Sequence, residues 1–206
     1  LEKAAVRSTK FYIKNNKTGI TYMQTVFYCT IHHDHTATHN DIHKKITAIY
    51  KQSPGPRWCS NGSVVEVVSD KMPIRCDQVS SVREVSVPTG SLTLSFQYPA
   101  IRRSNDGKKE HVKIYDSPAI AKKQISEKVC VRLSELGMSD VRIVEYVHNV
   151  CRLDLHDRKN GISKVPVSFI VAKCVCTDED KVRNLMVNGI GKFRFAGLGM
   201  IYVTEG

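Results

Sequence analysis

GIGKFRFAGLGMIY, Gly189 to Tyr202, lies almost at the end of a 206-residue chain and is the stretch on which the fold is read. Its glycines at 189, 191, 197 and 199 admit positive φ and close backbone approach, at an entropic cost that regular structure avoids. Ahead of it, Thr177 and Asp178 read as a helix start, with Asp180 completing a capping-box variant and Val182, Leu185 and Met186 on one apolar face. Behind it, Met200 to Thr204 reads as a strand. The order is therefore helix, glycine loop, strand. In a dinucleotide fingerprint or a P-loop the glycines precede the helix whose N-terminus receives the phosphate, so neither motif is present. Within the loop, Lys192 and Arg194 alternate with Phe193 and Phe195. Free backbone N–H groups beside two cations suit a phosphate cradle. The same residues equally suit a tight connection with solvated charges, and spacing alone leaves both readings open.

Working back from this stretch, the second half of the chain reads as an α+β unit. Pro118 stands at a good first helical position, and Ala121, Ile125, Val129, Leu133 and Leu136 give a long helix that stops at Gly137. Strands follow at Val141 to Tyr146, Asn149 to Leu155 and Val165 to Cys176. Asn160-Gly161 favours a type I′ hairpin turn, and Arg158, Lys159 and Lys164 make that tip basic. The first half has the same order. A strand from Met23 to Ile31 leads to a helix capped by Thr36 or Thr38 and running to about Lys51, where Ser53-Pro54-Gly55-Pro56 forbids continuation. Ser63 to Ser69, Ser91 to Tyr98 and a shorter piece around Val82 to Val87 are strand-like. These orders predict an α+β fold of two tandem ferredoxin-like (RRM-like) domains with a C-terminal glycine-rich loop. The expected division is an N-terminal extension over 1–22, one domain over 23–98 and a second over 99–206, with the change near 98–104.

Charge narrows the partners. Against 20 Asp+Glu stand 31 Lys+Arg, a formal net charge of +11 that favours a polyanion: RNA, DNA or anionic lipid. No run of 18 or more apolar residues occurs and no charged-then-apolar leader stands at the start, which predicts a cytoplasmic chain without membrane partners. Seven cysteines, an odd number with no C-x-x-C pair, disfavour both a disulfide framework and structural zinc. Five of the eight histidines, at 32, 33, 35, 39 and 43, fall together. On the first helix Ile42, Ile46 and Ile49 form the apolar stripe, and His39 and His43 border it one turn apart. An i,i+4 histidine pair can share a zinc ion, yet Asn40 stands where an H-E-x-x-H motif has its glutamate and no cysteine is close.

The closing GIGKFRFAGLGMIYV resembles the glycine-rich loop and final strand of the CRISPR repeat-processing endoribonucleases, especially the CasE-type members of type I-E systems and the related type IV enzymes. The resemblance extends back to Met23 in element order: a strand, a histidine-bearing helix, a strand ending in basic residues at Arg102 and Arg103, and a long helix. It implies a nuclease that binds the stem-loop of a CRISPR repeat and cuts one strand without a metal or other cofactor. In that chemistry the 2′-hydroxyl attacks the adjacent phosphate and leaves a 2′,3′-cyclic phosphate. The family's catalytic histidine corresponds to His43. Histidine suits the role because its ordinary pKa of about 6.5 lets it take or give a proton near neutrality. Where CasE-type members commonly carry a tyrosine three residues earlier, this chain has Asn40, so His39 and Tyr28 become the further candidates.

RNA contacts are expected from Lys44, Arg102, Arg103, Lys128, Arg132, Arg158, Lys159, Lys164, Gly189, Gly191, Lys192 and Arg194. Lys128 and Arg132, one helical turn apart, would track a duplex backbone. The expected partners are the repeat stem-loop or mature guide RNA and the other subunits of a guide-RNA effector complex. A non-catalytic subunit capping the RNA's 3′ hairpin is the alternative. KFRFAG slightly resembles the aromatic strand of RNA-recognition motifs, but it follows the last helix instead of forming the third strand.

Overall fold

The computed structural model describes residues 24–34, 36–51, 55–61, 63–105, 110–157, 161–191 and 197–206, with side chains at 61, 102–113 and 152–163 left out of the description. The expected N-terminal extension over 1–22 lies outside these residues.

The described residues form two four-stranded antiparallel sheets and one two-stranded sheet. The first is ordered β2-β3-β1-β4, from β1 (Thr25–His32), β2 (Arg57–Asn61), β3 (Val64–Ser69) and β4 (Ser81–Ser86). The second is ordered β10-β5-β9-β8, from β5 (Gly90–Pro99), β8 (Ser139–Asp157), β9 (Gly161–Cys176) and β10 (Ile201–Glu205). Numbered within its own unit, each four-stranded sheet runs fourth, first, third, second strand, the ferredoxin-like arrangement of a β-α-β-β-α-β chain. Helix α1 (His39–Tyr50) follows β1; α2 (Pro118–Glu135) and α3 (Glu179–Asn188) occupy the two helix positions of the second unit. In the first unit the second helix is reduced to a short 3-10 turn at Cys76–Gln78.

Strand Gly90–Pro99 corrects the expected division. The sequence reading gave Ser91 to Tyr98 to the first domain, but β5 pairs with β9 and β10 and is one of the two central strands of the second sheet. The change of sheet falls between Ser86 and Gly90, at Pro88-Thr89, where a proline without an N–H donor interrupts the ladder. Two further elements were not foreseen: β2, directly after the proline-rich stop, and a hairpin of β6 (Ile101–Asn105) and β7 (Glu110–Ile114) inserted before α2. The strands expected at Val141 to Tyr146 and Asn149 to Leu155 are one strand, β8, broken by register shifts between Ile143 and Glu145 and between Val147 and Cys151.

Helix α1 begins as its sequence dictates. Thr38 accepts a hydrogen bond from the Asp41 N–H while the Asp41 carboxylate accepts from the Thr38 N–H, a reciprocal capping box. The Thr38 hydroxyl, which also donates to that carboxylate, and then the Thr38 N–H hold the Asp41 carboxyl below its usual range. Ile42, Ile46 and Ile49 are buried against Cys29, Ile31, Val65 and Val67 of the first sheet. Strand alternation turns Val26, Tyr28 and Val68 to the opposite face, where they join the core of the second unit with Val182, Leu185 and Met186 of α3. Arg183 of α3 pairs with Asp70 at 3.3 Å, and the Arg57 Nε donates to the Asn188 carbonyl at 2.8 Å. The two sheets are thus joined through α3. The cap of α3 is Asp178, one of the two candidates, which accepts from the Lys181 N–H. No described helix is long and apolar enough to cross a membrane.

Candidate functional site

The connection from α3 to β10 touches both units. At Gly189 the chain leaves α3 with φ +63, and a Cβ there would lie 2.1 Å from the Gly199 carbonyl oxygen. The Ile190 N–H donates to that same carbonyl at 2.9 Å, and the Gly199 N–H donates to the Gln97 carbonyl at 3.2 Å. The loop is thereby closed at its neck, so only a residue without a side chain fits at 189. Residues 192–196, with Lys192 and Arg194, lie outside the described residues.

One end of the loop reaches the histidine helix. A Cβ on Gly197 would stand 2.6 Å from Cζ3 of Trp58, and the Trp58 ring lies 6.0 Å from the imidazole of His39. Trp58 is 1% exposed and packs among the α1 residues. His43 sits one turn further along α1, half-buried, and its carbonyl accepts from the Thr47 hydroxyl at 2.8 Å. Lys44 beside it is exposed. Tyr28 does not join this group. It faces away from α1, stacks on Tyr202 at 6.3 Å and lies under the Arg83 guanidinium at 5.5 Å. Burial pushes its phenol up to about 12. Tyr202 in turn donates to the Glu66 carboxylate. The strand that carries Tyr28 also leads to the histidine helix, but an even position on β1 points to the wrong face.

The other end of the loop borders a cleft. Gly189 and Gly191, Tyr98 of β5 and the outer face of α2 line a cavity of about 600 Å³. A Cβ on Gly191 would lie 2.7 Å from Cε2 of Tyr98, so the loop is seated on that ring. From α2 come Glu127, Lys128, Val131, Arg132 and Glu135. The cleft brings together four of the expected RNA-binding residues, Lys128, Arg132, Gly189 and Gly191. It also shows what the helical spacing of the cations did not. Lys128 donates to the Tyr115 hydroxyl at 3.2 Å and lies over its ring, while Arg132 pairs with Glu135 at 2.8 Å.

The remaining expected contacts are dispersed. Lys164 is exposed on β9, opposite Asp154 of β8. Arg102 and Arg103 pair through their backbones with Lys113 and Val112 in the β6–β7 hairpin; their side chains are outside the described residues, as are Arg158 and Lys159. Among the histidines, His33 is held by the Asp34 carbonyl and by Ser60, and His32 lends its carbonyl to Lys45. Among the described residues no three His, Cys, Asp or Glu side chains are grouped to hold a metal ion.

Trp58, Tyr98, Glu127 and Glu135 were not singled out from the sequence. Trp58 had a signal, being the chain's single tryptophan directly after the helix stop. Glu135 stands i,i+3 from Arg132, and Glu127 stands i,i+4 from Val131, itself i,i+3 from Lys128, so their place beside the two cations was legible by helical spacing.

Tandem ferredoxin-like units, the second carrying a glycine-rich connection from α3 to β10, give this chain the fold of the CRISPR endoribonucleases. Among solved structures it resembles CRISPR endoribonuclease Cse3 bound to a 19 nt RNA, at TM-score 0.62 and 14% identity over 88% of this chain and 99% of that one. It likewise resembles Cas6e from Escherichia coli str. K-12, at TM-score 0.60 and 14% identity over 88% of this chain and 100% of that one. A third is a chain of a CRISPR RNA-guided surveillance complex, at TM-score 0.61 and 14% identity over 87% and 100%. The likeness is one of fold. No family model matches the sequence, and no curated protein does.

Proposed function

We propose that the protein is a metal-independent endoribonuclease that binds the stem-loop of a CRISPR repeat, cuts the precursor RNA and stays with the product in a guide-RNA effector complex. One observation carries this reading. A single glycine-rich loop touches, through Trp58, the helix that bears His39 and His43, and borders, at Gly189 and Gly191, the cleft that holds Lys128 and Arg132. RNA held in the cleft and across the loop would pass the first turns of α1. Support also comes from solved structures of the same fold, one bound to RNA and one inside an RNA-guided complex, and from the net charge of +11.

In this mechanism the ribose 2′-hydroxyl loses its proton as its oxygen attacks the neighbouring phosphorus, and the 5′-oxygen leaves as it gains one. The products are a 2′,3′-cyclic phosphate and a 5′-hydroxyl. His43 is the proton-transfer group. The growing charge on the phosphate calls for N–H donors and cations, the role that the sequence reading gives to the glycine loop with Lys192 and Arg194. His39, in the first turn of α1 with its ring 6.0 Å from that of Trp58, is the second imidazole of the proposed site. Tyr28 takes no part. Incubation of the purified protein with an end-labelled repeat hairpin in EDTA tests this reading. A cyclic-phosphate product supports it; binding without product would instead favour a non-catalytic subunit that caps the RNA's 3′ hairpin.

A further inference from the structure

The cleft between α2 and the glycine loop is chemically unlike a phosphate groove. Among the described residues that line it, two side chains are cationic, Lys128 and Arg132, and two are anionic, Glu127 and Glu135, so this part of the lining is formally neutral. Both cations already have partners, Tyr115 for Lys128 and Glu135 for Arg132. A duplex backbone laid along this face would bring its phosphates against two carboxylates. Among these charged side chains stands Val131, 59% exposed, which lines the cleft together with Tyr98. A volume of about 600 Å³ lies within the range of small-ligand clefts. The site therefore combines an apolar floor with both acceptors and donors at its rim.

We infer that this cleft takes one unpaired nucleobase from the RNA flanking the hairpin, and that the base is guanine. The inference rests on the proposed RNA-binding function and names what this part of the surface reads. Single-stranded bases can be splayed out and read on their edges, whereas the duplex hides its major-groove edges. Guanine offers N1–H and N2–H side by side, matching the two oxygens of a carboxylate, and O6 and N7 as acceptors for an Arg or Lys. Glu127 or Glu135 supplies the first contact and Arg132 or Lys128 the second, the cation exchanging its present partner for the base, while Val131 and Tyr98 cover the base plane. Adenine presents no such pair of donors, and a phosphate presents only acceptors.

The test is fluorescence anisotropy with a repeat hairpin carrying its single-stranded flanks, in which each unpaired guanine is replaced in turn by an abasic residue, inosine or adenine. The wild-type protein should lose about tenfold in affinity at one position with each replacement, inosine included because it lacks the 2-amino group. Val131→Trp, which fills the cleft from an exposed position, should erase the abasic penalty at that position, and Glu127→Gln or Glu135→Gln should erase the inosine penalty. Equal abasic penalties in the wild type and Val131→Trp overturn the pocket while leaving hairpin binding intact. A guanine replaced by adenine without loss overturns the choice of base. No binding of the hairpin by the wild type overturns the RNA-binding reading itself, and this inference with it.

Discussion

Gly197 lies directly under Trp58: the Cβ that the glycine lacks would stand 2.6 Å from Cζ3 and 2.9 Å from Cε3 of the indole. The backbone there has φ +84, which costs an L-residue roughly 1–2 kcal/mol before any clash. Gly197→Ala is expected to lower stability by at least that amount and to slow RNA cleavage, because the displaced ring is the one that flanks His39. Trp58→Phe removes the atoms that a new Cβ would meet. The double variant should therefore lose less stability than the sum of the two single variants, measured by denaturant unfolding; strict additivity would show that the loop and the ring do not press on each other.

Thr38→Ala removes half of the capping box at the start of α1. The expected loss is about 1 kcal/mol of stability. Cleavage should fall with it, because the freed turn carries His39 and leads into His43. Thermal unfolding and single-turnover rates on the same preparation check both; a normal rate in a destabilised variant would detach the cap from the chemistry.

Much of the fold was legible because it follows from local rules. Ile42, Ile46 and Ile49 declared α1, Pro118 declared the start of α2, and Thr177 and Asp178 declared α3; all three helices are found there. The assignment of β5 was not legible. Gly90–Pro99 has the alternation of any half-buried strand, and only its partners, Phe169 opposite Gln97 and Ile201 opposite Phe96, give it to the second sheet. Tyr28 was misplaced for a related reason: proximity in sequence to the histidine helix says nothing about which face of β1 a side chain takes. For the site, the sequence supplied Lys128, Arg132, Gly189 and Gly191. The neutrality of the described lining depends on Glu127 and Glu135, whose charges the pattern of cations along α2 does not reveal.

Tyr28 gives an alkaline signature. Below pH 10 its phenol is protonated in both the folded and the unfolded chain and adds no pH dependence. Between about 10 and 12 the unfolded chain ionises first, so the folded state loses stability as pH rises. Urea unfolding across that window should show a downward slope that is shallower in Tyr28→Phe. An unchanged slope would mean that the buried phenol contributes nothing to the transition.

Electrostatic binding predicts its own salt dependence. If six phosphates are contacted, affinity for the repeat hairpin should fall about a thousandfold between roughly 50 and 200 mM salt. Isothermal or anisotropy titrations at several salt concentrations measure the slope. A flat response would remove the cationic surface from the account.

The most direct measurement is single-turnover cleavage of a labelled repeat hairpin by His43→Ala in EDTA, with hairpin affinity measured in parallel. The account predicts a rate about a hundredfold or more below wild type and nearly unchanged binding. Cleavage at the wild-type rate in that variant would contradict it.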